Sequence, residues 1–418
     1  MDLELDKQIE LLSEYLNNGG IEDINSPMIL ASISRVRFDL KGKVIPESIT
    51  PPLRAFLRLN TYTHLVEPFY DETFVMNYKS FIQKSLYFHQ SQIETKSDFD
   101  KIYEELIASK EKILYRGIGE AKYRILSSIQ RFWIDNKGNE KGIDFKIFLT
   151  DLLDTFRKNN NGQLVHYFNK MGIPHENDMA ILSFLQHYGL NSKTPLTDWT
   201  YSFDNALYFG ASDVQNANGK LEIDKYFSIY YFEEKYLQDA SLTKIVKESI
   251  DTNYKEAYQN LIQQMKDSNY PDKLGNLLTD GAQKEFIMLY KGRELVSRIC
   301  NIEKLLEFPI LYVSDEETDP RIRYSIGNNM NIINQQGTFI WNSSTNIPLE
   351  KIARDEYYKD NPQENVYYFS ECINIHKDLK DYVLKMLNDK GVNHNFLFPN
   401  NDDIANNIFN VVKNKYGL

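Results

Sequence analysis

Short β-prone runs set between long helical stretches constrain this chain more than any other feature. Tyr, Ile, Phe and Val concentrate at about 112–116, 225–232, 309–313, 331–341 and 365–373. Long helical stretches separate the early runs, while the later ones lie closer together. Regular βαβ repetition would space them evenly, so the expected class is α+β: a mixed or antiparallel central sheet with flanking helices. The chain has 418 residues, more than one core usually covers, so two or three domains or subdomains are expected.

In order along the chain, Leu5, Ile9, Leu12 and Leu16 repeat at helical spacing until Gly19-Gly20 stops them. A second helical pattern starts at Pro52 and a third, rich in aromatics, covers Asp71–Gln92. Residues 1–95 therefore read as a helical N-terminal subdomain. Ser97 begins a capping-box pattern ahead of a helix to about Ser109. Residues 121–131 read as helical, and Phe145–Phe156 places Phe145, Phe148, Leu149, Leu152, Leu153 and Phe156 on one face. Asn177-Asp178 caps the helix carrying Ile181 to Tyr188, Asn191–Thr197 reads as a loop, and Phe203–Phe209 as a helix. The main unit is expected over 96–345, with a polar helical insertion at about 234–290, and residues 346–418 add a strand and closing helices. Within 331–341, Gly337 predicts a bulge or a close backbone approach.

Charge and cysteine usage exclude several function classes. With 48 Lys+Arg against 59 Asp+Glu the net charge is −11 and no long basic run exists, so bulk nucleic acid is an unfavourable partner. Met1-Asp-Leu-Glu-Leu-Asp6 lacks the basic and apolar regions of a signal peptide, and no apolar window is long enough to span a bilayer. Cys300 and Cys372 have neither metal-ligand nor disulfide-framework spacing, which predicts core thiols and a reducing, cytoplasmic setting. No His/Cys/Asp/Glu set has zinc spacing, so no metal is expected. Arg116-Gly-Ile-Gly119 lacks the remaining spacing of either glycine-rich nucleotide fingerprint.

The chemistry-bearing residues concentrate in Gln186-His-Tyr-Gly189 and Asp198-Trp-Thr200, with Tyr115-Arg-Gly117 upstream. Polar groups among aromatics suit a pocket wall, yet buried polar groups are also ordinary hydrogen-bonded structure. His187 reads equally as a helix C-terminal histidine favoured by the dipole or as a ligand-facing one. Asp198 caps the following helix or serves the site, and Trp199 is better placed in the core than as a platform. Gln335 and Gly337 shape a bulge or belong to the site.

Taken together, these motifs resemble the FRG domain, a family named for a Phe/Tyr-Arg-Gly motif. The resemblance rests on Tyr115-Arg116-Gly117, Leu126-Ser-Ser-Ile-Gln-Arg131, Gln186-His-Tyr-Gly-Leu190, Asp198-Trp-Thr200 and Ala206-Leu-Tyr-Phe209, with Arg321-Ile322, Gln335–Phe339 and Leu397–Pro399 downstream. It spans roughly 112–400. One segment departs: Asn191–Thr197 is two residues longer than the family's usual Pro-Thr-Arg-Leu-Leu and lacks its arginine. Lys193 stands nearest, but a bidentate arginine role does not carry over to it.

The motif order is also similar to that of ADP-ribosyltransferases. That similarity implies NAD as a substrate and no metal. Arg116, with Tyr115 and Gly117 beside it, would grip the phosphates or the adjoining ribose. His187 or Tyr188 would hold the nicotinamide, and Asp198 and Thr200 would fix the second strand or the ribose. Gln335 or Gln336 would stand where those enzymes carry a catalytic glutamate. Glutamine lacks the charge that opposes an oxocarbenium ion, so either another acid such as Asp198 serves or the site binds without turnover. The expectation is therefore an NAD-consuming enzyme of toxin or antiviral-defence type with a small nucleotide substrate and a protein acceptor. The alternative is a non-catalytic module that binds a nucleotide or a nucleic-acid component and signals to a partner.

Overall fold

Tyr226–Glu233 is apolar or aromatic on both faces, and a strand of that kind must be covered on both sides. In the computed structural model it is β4 of a seven-stranded sheet, ordered β1-β7-β4-β2-β3-β6-β5. The other strands are β1 (Phe88–Ile93), β2 (Ile113–Ile118), β3 (Leu196–Thr200), β5 (Ile310–Val313), β6 (Gly337–Asn342) and β7 (Ser370–His376). β1 and β7 run parallel and every other neighbour is antiparallel, so the sheet is mixed and the class α+β. The structure describes residues 76–188, 193–214, 219–237, 240–249, 263, 267, 292, 295–315, 322–361, 367–399 and 404–418. The readings over 1–75, most of the 234–290 insertion, Gly189, Leu190 and Arg321 lie outside the described residues. Among the described residues no helix is long and apolar enough to cross a membrane.

One sheet face carries a single core running from Phe88 through Cys372, Tyr230, Leu114 and Trp199 to Ile340 and Tyr312. The opposite face is divided. Helices Lys96–Ile107, Phe203–Ser212 and Lys380–Asp389 cover β1, β7, β4 and β2 through Phe99, Phe203, Phe227, Ile373 and Val383. Helices Phe145–Lys158, Asp178–His187 and Ile404–Lys415 cover β3, β6 and β5 through Phe148, Leu182, Phe339, Trp341 and Phe409. The division falls between β2 and β3. These strands share one register pair, Tyr115↔Thr200, whereas β2 and β4 share six.

Several elements differ from expectation. The third helical pattern shrinks to Phe81–Lys84, and Phe88–Ile93 becomes an edge strand because β7 pairs with it residue by residue. The helix expected from Ser97 starts at Lys96, capped by the Thr95 side chain. The 121–131 helix begins only at Ser128, where Ser127 and Gln130 form the capping box. Leu196–Thr200 is a strand rather than the end of a loop. The 331–341 run splits into helix Met330–Asn334 and β6, with Gln336 at φ +48° making the turn. The final strand starts at Ser370, later than the aromatic run suggested.

Candidate functional site

β2 explains its own Tyr-Arg-Gly motif through the two-residue period of a strand. Tyr115 and Gly117 face the Phe203–Ser212 helix. The Tyr115 ring lies 5.2 Å from Phe203 and 6.1 Å from Tyr231, and burial followed by Tyr231 pushes its hydroxyl to about 12. A Cβ on Gly117 would stand 1.9 Å from the Ala206 carbonyl oxygen and 2.5 Å from the Gly210 nitrogen, so only glycine lets strand and helix meet here. Arg116 projects to the other face, between Leu114 and Ile118.

Because β2 and β3 pair only at Tyr115↔Thr200, they part beyond it, and Arg116 reaches across the opening. Its Nη1 donates to the Asp198 backbone carbonyl, while its buried Nε has no hydrogen-bond partner. Burial pushes the guanidinium's pKa down, opposed by Asp198 and Tyr230. The Asp198 side chain points to the divided face. Its Oδ2 accepts from Gln186 Nε2 at 2.8 Å, and Gln186 in turn accepts from the Thr194 hydroxyl. Asp198 Oδ1 lies 3.7 Å from His187 Nε2, and neither atom has a hydrogen-bond partner.

His187 ends its helix against the Phe339 ring, 5.4 Å between centroids, and its carbonyl accepts from Asn331 Nδ2 at 2.8 Å. Burial is the larger influence on its ring and pushes the pKa down, with Asp198 opposing. The helix C-terminus favours a cation by only about 0.3–1 kcal/mol in exposed settings, so burial wins and the imidazole is neutral at pH 7. The pair is thus a carboxylate facing a neutral imidazole.

The remaining expected residues form a second group. Thr200 Oγ1 donates to the Gln335 carbonyl at 2.6 Å and accepts from the Ser202 nitrogen at 2.9 Å. Gln335 Nε2 donates to the Leu397 carbonyl at 3.0 Å, tying the turn to the short helix His394–Leu397. The Gln336 carbonyl accepts from the Tyr201 nitrogen at 3.1 Å, and its side chain is exposed. Tyr188 stacks on Phe184 of its own helix at 4.2 Å and 12°. Lys193 is half-buried, and burial pushes its amine's pKa down. The Asp198 side chain and His187 therefore share one face of the sheet, while the Arg116 guanidinium lies on the other and touches Asp198 only at its backbone carbonyl. Thr200, Gln335 and Gln336 brace the adjoining turn.

Two residues quoted within the motifs, but given no role there, also contribute. Gln186 holds the carboxylate. Arg131 lies near enough to Arg116 for that charge to push its pKa down, after burial. Among the described residues no group of three His, Cys, Asp or Glu could hold a metal ion.

A mixed sheet that parts between two strands, with an arginine on one face and a carboxylate beside a neutral imidazole on the other, defines an α+β protein with polar groups at the parting. Residues 111–219 match the family model of the FRG domain, so the chain carries an FRG domain over that stretch. The match holds Arg116, Arg131, His187, Asp198 and Thr200, while Gln335 and Gln336 lie outside it. No curated protein and no solved structure matches the chain.

Proposed function

We propose that this FRG-domain protein consumes NAD, with Asp198 supplying the carboxylate. The observation that carries the reading is the Asp198 side chain: one oxygen is held by Gln186, and the other is buried without a hydrogen-bond partner beside His187. Breaking the bond between nicotinamide and ribose leaves positive charge on the ribose, which a fixed carboxylate opposes. Nicotinamide departs with the bonding pair. Water or a protein nucleophile adds at the anomeric carbon, and its proton passes to the neutral His187. Such an activity fits a toxin or defence protein acting on a protein acceptor.

Incubating the full chain with NAD tests this directly. Nicotinamide release should fall about 100-fold or more in Asp198→Asn, the loss expected when a charge-stabilising group is removed. Release unchanged in that variant sinks the assignment of Asp198. A second reading, a nucleotide-binding module without turnover, is favoured by the Gln335 amide being committed to the Leu397 carbonyl. Saturable NAD binding with no nicotinamide release under any acceptor would establish it in place of the enzyme.

A further inference from the structure

A glutamine amide is nearly symmetrical in shape, so the groups around it decide which end presents the oxygen and which the nitrogen. For Gln186 the deciding group is Thr194, which is wholly buried. The Leu196 nitrogen donates to the Thr194 hydroxyl oxygen at 3.3 Å, and the hydroxyl's own proton goes to Gln186 Oε1. Gln186 Nε2 is thereby turned toward Asp198 and donates to its Oδ2 at 2.8 Å. Thr194 is itself anchored through its main chain. Its nitrogen donates to Ser128 Oγ at 3.1 Å, and its carbonyl accepts from the Ser128 hydroxyl at 3.4 Å and from the Ile129 nitrogen at 3.2 Å. Ser128 and Ile129 open the helix Ser128–Asp135, which Ser127 caps. Ser128 and Asp198 are therefore the two ends of one hydrogen-bonded chain.

That chain has a direction. Reversing the Gln186 amide would set its oxygen against a carboxylate oxygen and take the acceptor from the Thr194 hydroxyl. Like partial charges would meet, and a buried donor would go unsatisfied, both unfavourable away from water. With the amide as it stands, Asp198 is gripped at one oxygen and cannot turn its carboxylate without breaking that bond. The other oxygen, Oδ1, has no hydrogen-bond partner and lies 3.7 Å from His187 Nε2.

We propose that Thr194 is a positioning residue for the Asp198 carboxylate: its hydroxyl selects the Gln186 amide orientation that holds Oδ2 and leaves Oδ1 for the substrate, and Ser128 anchors it in place. The role rests on the reading of Asp198 as the carboxylate that opposes the ribose charge. A misplacement of about 1 Å in a reacting group costs about 100-fold in rate, and a carboxylate free to turn incurs part of that loss. Valine in place of Thr194 keeps the branched shape and removes the selecting hydroxyl.

Thr194→Val and Thr194→Ser in the full chain, assayed for nicotinamide release, test the role. Thr194→Val should lower kcat about tenfold or more and leave KM for NAD within about twofold, because the lost interaction orients a reacting group rather than binding substrate. Thr194→Ser keeps a hydroxyl and should recover most of the rate. Adding Thr194→Val to Gln186→Leu should cost nothing further, since both changes cut one chain. A second readout needs no activity. The Gln186 side-chain NH2 resonances, assigned by their absence from Gln186→Leu, should move in Thr194→Val and stay in place in Thr194→Ser. The proposal is overturned if Thr194→Val releases nicotinamide at the parental rate. It is overturned equally if both Thr194 variants lose rate and Tm together, the mark of a packing residue, or if the NH2 resonances ignore the loss of the hydroxyl. Should the parent protein release no nicotinamide, the NAD reading falls by itself, and the amide resonances alone decide whether Thr194 orients Gln186.

Discussion

At the residue scale, the Tyr-Arg-Gly motif assigns three jobs to three neighbours. Tyr115 fills the core under a helix, Gly117 admits that helix, and Arg116 is left to the site. Gly117→Ala forces a methyl against backbone atoms that cannot rotate away, and overpacking of this kind costs about 1–3 kcal/mol. Denaturant unfolding should show that loss, and an unchanged midpoint would mean that the helix sits farther off. His187 gives a pH signature. Its folded pKa lies below the unfolded value near 6.5, so the unfolded chain takes up the proton more readily. Its contribution to stability is therefore complete above 6.5 and is lost as pH falls through the lower folded value. His187→Gln should lose less stability between neutral and mildly acidic pH than the parent protein, read from denaturation midpoints across that range. The sequence marked His187 and Asp198 as reactive types, but only tertiary structure orients Asp198 Oδ1 toward the imidazole. Nothing in residue identity announced that the amide of Gln335 would be committed to Leu397, sixty-two positions away.

At the element scale, what was legible followed local pattern. The Phe145–Lys158 helix buries five of the six residues its periodicity placed on one face, with Phe145 half-buried at the margin. β2, β4 and β5 lie close to where β-branched and aromatic runs put them. Asn177 caps Asp178–His187 as its position implied. β1 and β3 were hidden for opposite reasons. Phe88–Ile93 is mostly polar because it borders solvent, and β7 makes it a strand. Leu196–Thr200 follows Pro195 and is centred on Asp198, a composition typical of loops, yet five register pairs with β6 hold it extended. The Asn177 cap also braces the site from a distance, since Gln186 and His187 ride at the far end of that helix. Its Oδ1 accepts from the Ala180 nitrogen at 3.1 Å, and its Nδ2 donates to the Tyr324 carbonyl at 2.8 Å. Asn177→Ala removes both bonds in a buried setting and should destabilise the protein by about 2 kcal/mol. A loss below a few tenths of that, measured by denaturant unfolding, would mean that solvent replaces both partners.

At the scale of the molecule, the family match and the folding unit do not coincide. Residues 111–219 contain β2 and β3, and these meet at one pair. Each takes its extended neighbour from elsewhere: β2 pairs with β4 through six residues, and β3 with β6 through five. The cores follow the same division. Trp199 packs 4.9 Å from Phe232 and 6.2 Å from Phe369, and Tyr115 lies against Tyr231, all outside the match. Cut at its matched ends, the segment would expose both strands along their length and open the hydrophobic faces that those aromatics close, which a marginally stable chain does not tolerate. The site suffers as well, because Phe339 against His187 and Asn331 on its carbonyl come from later in the chain. A fragment of 111–219 should therefore melt without a cooperative transition and bind a hydrophobic dye, whereas the full chain should unfold sharply and without dye binding in its native state. Calorimetry with circular dichroism on both proteins decides it. A fragment with its own sharp transition would show that the matched stretch folds unaided and that β4, β6 and β7 are additions to it.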